Sequence, residues 1–152
     1  MRRRSPPLTA SLLMTPDLFI GVHHMRDILI IGAGGFIGAV LRYLAVLSMH
    51  VFKTKTAIPV GTLLVNVVGC LLIGFLAVLA ENGRLISAET RNFLVVGILG
   101  AFTTFSTFGY ESVNLLRDGL NLQFFLNIFL QLVLGLAAVW GGMNLAQLLR
   151  TR

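Results

Sequence analysis

Four long stretches of the 152-residue sequence are almost free of charged side chains, and this pattern constrains the fold more than any other feature. They cover residues 28–47, 60–80, 93–116 and 120–149. Each supplies the ~20 residues that a helix needs to cross ~30 Å of hydrocarbon. Because they fill most of the chain, no room is left for a water-soluble catalytic unit. We therefore predict an all-α, multi-pass membrane protein with four transmembrane helices, and not an enzyme.

Composition supports a membrane protein and argues against nucleic-acid binding. Charged residues make up 12% of the chain, against about 25% in an ordinary soluble domain. The net charge of +6 would suggest a nucleic-acid partner in a soluble chain. Here the cations sit at the ends of apolar segments, where they meet lipid headgroups. We therefore expect the lipid bilayer as a partner and no nucleic acid.

The sequence divides into an N-terminal tail and one membrane domain. Residues 1–25 contain three arginines and three prolines and lack the unbroken apolar core of a secretory signal. We expect residues 1–25 to be a disordered tail and residues 26–150 to form the four-helix transmembrane domain. Met25 stands just before the first span, so a translation start there is an alternative.

If translation starts at Met25, the distribution of positive charge leaves the orientation in the membrane almost undetermined. Four spans place both termini on one side, which carries eight of the twelve Lys and Arg residues. A start at Met25 removes three arginines and leaves five against four. Since the Lys/Arg bias of short loops sets orientation, we predict that the subunit inserts both ways and pairs with an inverted copy of itself.

Polar residues in the second span mark a candidate site. Thr62 and Asn66 lie one helical turn apart and share a face. An amide side chain in hydrocarbon is costly unless it is hydrogen-bonded, so Asn66 must face protein or water. The residues alone leave open whether Asn66 lines a pore or joins two helices.

The third span carries the strongest signal, the segment GILGAFTTFSTFG at residues 97–109. Ser and Thr compete for backbone groups and Gly weakens the helix, so we predict a break in the third helix at mid-membrane. Such a break survives only inside protein or along an aqueous path, and it usually marks an ion or substrate site. The alternative is a continuous helix whose hydroxyls bond its own carbonyls.

Glycines in the first span have two interpretations. The run at residues 28–38 looks like a dinucleotide-binding loop, but Ile37 occupies the position of the third glycine. No acidic residue follows about 20 residues later to bind a ribose. Gly34 and Gly38 instead have the small-residue spacing that allows membrane helices to approach closely.

Arg42 and Glu111 are the only charges inside the spans, and both approach the same membrane face. They could form an ion pair there, or extend toward the headgroups. A third interpretation is that Arg42 draws anions into a vestibule.

Three motifs in order resemble the CrcB/Fluc family of bacterial fluoride channels over residues 26–148. They are GGxxGAxxRY at residues 34–43, GTLxVNxxG at residues 61–69 and GxxGxxTTFSTF at residues 97–108. The resemblance implies a fluoride-selective channel in the bacterial inner (plasma) membrane that exports cytoplasmic fluoride passively and reduces its toxicity. It also implies a dual-topology, antiparallel homodimer with two pores and one structural Na⁺ at its centre.

The resemblance also implies roles for individual residues. The backbone carbonyls of Gly100 and Thr103 would hold the Na⁺, and the ring edges of Phe105 and Phe108 would meet fluoride. Neutral hydrogen-bond donors would line the rest of the pore. These donors are Asn66, Thr104, Ser106, Thr107, Asn127 and Gln131, of which the last two occupy positions where the family often has tyrosine and serine.

A small dual-topology, proton-coupled multidrug exporter is the alternative function. Such a carrier uses a carboxylate within the membrane to exchange protons for cations. Glu111, late in the third span, is the only acidic residue in the four spans. A structural subunit without transport activity is a further alternative, but it does not account for the hydroxyl-rich break.

Overall fold

The computed structural model describes residues 16–51, 57–81 and 86–150. Within these ranges the chain is helical and contains no strand. Its main elements are α1 (Pro16–Val51), α2 (Val60–Ala80), a composite third span (Ala88–Arg117) and α6 (Asn121–Arg150). All four are long and apolar enough to cross a membrane. The predicted four-span helical architecture is therefore confirmed.

Helix α1 begins earlier than the sequence predicts. The predicted boundary between tail and membrane domain falls at residue 26, but residues 16–25 are already helical. Proline suits the first position of a helix because its φ is fixed near the helical value and its missing N–H would lack an intrahelical acceptor. The rest of the predicted tail, residues 1–15, lies outside the described residues.

The third span consists of several segments. They are α3 (Ala88–Arg91), a π-helix (Asn92–Leu99), α4 (Gly100–Phe102) and α5 (Phe105–Arg117). Ser87 caps the first of them, because its hydroxyl accepts a hydrogen bond of 3.2 Å from the Thr90 N–H. The π-helical turns were not predicted from the sequence. Turns of this kind are frequent at functional sites.

Helix α1 packs closely against the π-helix of the third span. A Cβ added at Gly34 would lie 2.6 Å from the carbonyl oxygen of Phe93, and one at Gly38 would overlap the carbonyl oxygen of Ile98. Only glycine leaves room for backbone at these distances. The predicted role of this glycine pair in close helix packing is therefore confirmed.

Helix α2 packs along α6 in the same way, again through glycine. A Cβ at Gly74 would overlap the carbonyl oxygen of Val139, and one at Gly142 would overlap the carbonyl oxygen of Leu71. The two helix pairs, α1 with the third span and α2 with α6, have the most extensive contacts in the subunit. They form the frame that positions the candidate site.

Two features fix the ends of the third span. Arg26 forms an ion pair of 2.7 Å with Glu89, which joins its start to α1. Gly119, with φ of 74°, provides the tight turn into α6.

Most of the apolar surface of the subunit is uncovered. Between 11% and 22% of the most apolar window of each span is buried. Phe36, Phe105 and Trp140 remain 73%, 84% and 71% exposed. Patches of this size do not face water, so lipid or another subunit must cover them.

Candidate functional site

The third span changes conformation at Thr103 and Thr104, between α4 and α5. Thr103 has φ of −83° and ψ of 159°, and Thr104 has φ of −152° and ψ of 114°, so both are extended. In an α-helix each N–H donates to the carbonyl four residues earlier. Two extended residues interrupt that register. The depth of this segment in a bilayer stays a prediction.

The side chain of Asn66 bonds the extended segment in both directions. The N–H of Thr104 donates to Asn66 Oδ1 at 2.8 Å, and Asn66 Nδ2 donates to the carbonyl of Thr104 at 3.1 Å. Asn66 Nδ2 also donates to Gln131 Oε1 on α6 at 3.2 Å. Asn66 therefore joins three helical elements, which is the helix-joining role that the sequence left open.

Hydroxyl groups bond the backbone on either side of the extended residues. Thr104 caps α5, because its Oγ1 accepts a hydrogen bond of 3.1 Å from the N–H of Thr107. The same hydroxyl donates to Thr107 Oγ1 at 2.9 Å. On the other side, the Thr103 hydroxyl donates to the carbonyl of Leu99 at 3.0 Å. Both threonine hydroxyls are therefore used locally.

Because of these bonds, two particular carbonyls lose the N–H groups that would bond them in a continuous helix. In a continuous α-helix the Thr104 N–H would reach the carbonyl of Gly100, and the Thr107 N–H would reach that of Thr103. Here the first N–H donates to Asn66 and the second to the Thr104 hydroxyl. The two expected Na⁺ ligands, the carbonyl oxygens of Gly100 and Thr103, are among the oxygens that lose their helical donors at this break. Alkali cations bind backbone carbonyl oxygens, so these residues fit Na⁺.

A cleft of about 330 Å³ opens beside the extended segment. Phe105 and Phe108 line it, with ring centroids 5.7 Å apart and ring planes at 60°. Gly69 opposite them makes room for Thr103, because a Cβ there would overlap the Thr103 methyl group. The cleft thus brings together most of the predicted site: Asn66, Gly100, Thr103, Thr104, Phe105, Phe108 and Gln131.

The two polar residues predicted on the fourth span have different surroundings. Gln131 is one of the two described α6 residues that line the cleft. Its Nε2 is buried and has no hydrogen-bond partner among the described residues. Asn127 is fully buried and donates to Ser112 Oγ at 3.0 Å. Its predicted contact with the pore stays a prediction.

Ser112 is a residue that the sequence analysis missed. Its hydroxyl donates to the carbonyl of Phe108 at 2.7 Å and accepts the bond from Asn127. The available signal was its position four residues after Phe108, where a serine in a helix bonds back to the backbone. Through this chain of bonds Asn127 supports the turn that carries Phe108.

Ser106 and Thr107 lie in the first turn of α5, and both are exposed at the subunit surface. Ser106 Oγ is 3.4 Å from the hydroxyl of Thr104. For Ser106 and Thr107 to line an anion path as predicted, a neighbouring surface would have to complete that path.

Glu111 reaches toward α2. Its Oε1 accepts a hydrogen bond of 2.9 Å from Thr62, a residue with 2% of its surface exposed. The predicted polar face of α2, which carries Thr62 and Asn66, is therefore directed at the third span. Arg42 is partly buried on α1. Its pairing with Glu111 and its vestibule role stay predictions.

The family model and the similar proteins found by comparison point to the same family. The family model described as CrcB-like protein, Camphor Resistance (CrcB), matches residues 29–143. A fluoride-specific ion channel FluC 1 from Methanosarcina acetivorans is 47% identical over 130 residues, which are 83% of this chain and 98% of the relative. A fluoride-specific ion channel FluC from Chlorobium phaeobacteroides is 43% identical over 121 residues, 80% of this chain and 93% of the relative.

A third relative, the fluoride-specific ion channel FluC of Campylobacter jejuni, is 46% identical over 118 residues, 78% of this chain and 95% of the relative. The family-model match at residues 29–143 includes the extended segment, the two phenylalanines and Asn66. The chain therefore belongs to the CrcB family.

Proposed function

We propose that this protein is a fluoride channel that releases cytoplasmic fluoride down its gradient. The relatives of near-complete coverage are named fluoride-specific ion channels. The observation that carries the proposal is the cleft beside the extended segment, which Gln131 lines together with Phe105 and Phe108. The amide nitrogen of Gln131 is buried and has no protein acceptor among the described residues. A buried donor without a partner is costly, so the cleft favours a small hydrogen-bond acceptor.

The chemistry of the cleft suits fluoride. Fluoride is small, strongly hydrated and a strong acceptor, so a pore must replace its water with donors. The amide of Gln131 is a neutral donor, and the positive ring edges of Phe105 and Phe108 attract an anion without holding it as a fixed charge would. Rapid passage requires binding that is favourable and weak at once.

In the single subunit Asn66 has no free N–H to offer fluoride, unlike Gln131. Its Nδ2 carries two hydrogens and already donates to two acceptors, Thr104 and Gln131. To meet fluoride directly it would have to give up one of these bonds. Phe105, which is 84% exposed, is therefore the stronger candidate for first contact with the anion.

The carbonyls of Gly100 and Thr103 are the proposed sodium ligands. When bound, Na⁺ would compensate the partial negative charge on oxygens whose helical donors are diverted. Gly100 is exposed at the subunit surface. A second, inverted copy could therefore supply a matching pair of carbonyls to one ion.

We further propose that the functional unit is an antiparallel, dual-topology homodimer in the inner (plasma) membrane. Phe105 is 84% exposed although it lines the cleft, so one wall of the site is open in the single subunit. A second copy would close that wall. In a chain that begins at Met25, Lys and Arg divide five against four between the two sides, which allows the inverted orientation that such a partner needs.

The alternative of a proton-coupled multidrug exporter has no support from the relatives, which are named as ion channels. A proton-coupled carrier needs a carboxylate that gains and loses a proton with each cycle. Glu111, the one acidic residue of the apolar stretches at residues 28–47, 60–80, 93–116 and 120–149, accepts a hydrogen bond from Thr62 and is not among the residues that line the cleft.

The test is fluoride efflux from proteoliposomes containing the purified protein. A channel gives efflux that follows the fluoride gradient, with or without a pH gradient, and excludes chloride. Efflux that requires an opposing proton gradient would indicate an exporter instead. Absence of efflux from well-folded protein would contradict transport altogether.

A further inference from the structure

We propose that Asn66 and Thr104 are positioning residues that create the sodium site, because they hold two backbone N–H groups away from the carbonyls of Gly100 and Thr103. This inference rests on the proposed sodium-containing channel. The family resemblance places Asn66 in the anion path. The inference adds a second role for Asn66, in forming the Na⁺ site on the same segment.

The first step concerns the carbonyl of Gly100. The N–H that would occupy it in a helix belongs to Thr104, and Asn66 Oδ1 accepts that N–H at 2.8 Å. Asn66 lies on another helix, 38 residues away in sequence. The extended conformation of Thr104 is therefore maintained by tertiary packing.

The second step concerns the carbonyl of Thr103. Its helical donor would be the N–H of Thr107, which donates instead to the Thr104 hydroxyl at 3.1 Å. One residue, Thr104, thus gives its N–H to Asn66 and its hydroxyl to the next turn. Both carbonyls are left to a cation by bonds that meet at this residue.

The two halves of the Asn66 amide should have separable functions. The oxygen frees the Gly100 carbonyl by accepting the Thr104 N–H, whereas the nitrogen donates to Thr104 and Gln131. Asn66→Asp keeps an acceptor and loses the donors. Asn66→Leu has a similar volume and loses both. In the aspartate variant Gln131 can turn its amide, because its buried Nε2 has no other partner among the described residues.

The experiment measures thermal unfolding of the purified full-length protein at increasing sodium concentration, with a bulky organic cation to keep ionic strength constant. In wild type, sodium should raise the melting temperature, and the concentration at which the rise begins gives an apparent sodium dissociation constant. Asn66→Asp should keep this response. Asn66→Leu should raise the apparent sodium dissociation constant about tenfold or abolish the response, because one hydrogen bond distinguishes the two backbone states.

This comparison separates positioning from general stability. A purely structural role would lower the melting temperature of both variants and leave their sodium responses alike. Equal apparent sodium dissociation constants in wild type and in Asn66→Leu would overturn the inference while leaving the channel function intact. A wild type that is insensitive to sodium would overturn the sodium site itself, and fluoride efflux from the same preparation would show whether the channel proposal stands.

A second matched pair decides the question if Asn66→Leu does not fold. Thr104→Val removes the hydroxyl that caps Thr107, whereas Thr107→Val keeps that cap and removes only the bond between the two hydroxyls. We expect a roughly tenfold weaker sodium response in Thr104→Val, rescue by Thr104→Ser, and an unchanged response in Thr107→Val. Equal responses in Thr104→Val and Thr107→Val would overturn the inference.

Discussion

Asn66 and Thr104 bond each other in both directions: the Thr104 N–H donates to the asparagine oxygen at 2.8 Å, and the asparagine nitrogen donates to the Thr104 carbonyl at 3.1 Å. Through this pair α2 holds the third span in an extended conformation next to the cleft. The cleft residues and the two diverted carbonyls therefore depend on the same contact. Substitutions of cleft residues and substitutions that affect the two carbonyls can be tested separately.

The first prediction concerns the phenylalanines of the cleft. Phe105→Ile and Phe108→Ile keep an apolar side chain but remove the ring edge that attracts an anion. Fluoride efflux should fall at least tenfold, while the free energy of unfolding should change by less than about 1.5 kcal/mol, as for other near-volume apolar exchanges. Phe129→Ile on α6, where the ring is 60% exposed, is the control and should retain efflux. Equal efflux from all three variants would remove the phenylalanines from the anion path.

The second prediction concerns the Thr103 side chain. Its hydroxyl bonds the carbonyl of Leu99, so the hydroxyl is not needed if the backbone holds sodium. Thr103→Val should lose about 1 kcal/mol of stability at most and should keep the sodium dependence of unfolding. If sodium dependence disappears while the protein stays folded, ligation by the side chain is the better explanation.

The third prediction concerns close packing of α1. A Cβ at Gly38 would overlap the Ile98 carbonyl, whereas a Cβ at Gly35 meets nothing within 4 Å in the subunit. Gly38→Ala should lower the free energy of unfolding by about 1–3 kcal/mol because backbone must shift. Gly35→Ala should be neutral or stabilising, since alanine favours helix over glycine by about 1 kcal/mol. Equal melting temperatures for the two variants in detergent would contradict the α1 packing described above.

The fourth prediction concerns orientation. Tags at the C-terminus should report both orientations in one population, most evenly in a chain that begins at Met25. Asp118→Lys adds a positive charge in the exposed turn before α6 and should shift the ratio toward the orientation with this turn in the cytoplasm. Asp118→Asn is the control and should leave the ratio unchanged, because acidic residues contribute little to orientation. A C-terminus that is cytoplasmic in every molecule would contradict the inverted dimer.

The sequence by itself determined the membrane architecture. Helix α2 occupies the predicted residues 60–80, because spans are set by local hydropathy and length. The close approach at Gly34 and Gly38 also follows from local spacing. The motifs identified the family, which the comparisons confirm.

Only the tertiary structure decided which groups bond across the helices. The acceptor for the Thr104 N–H comes from a residue 38 positions away, and Asn127 bonds Ser112 across the turn between two spans. The π-helix over Asn92–Leu99 likewise lies where the glycines of α1 meet the third span. A backbone donor chooses between its helical carbonyl and a side chain from another helix, and that choice depends on how the helices pack, which local sequence does not specify.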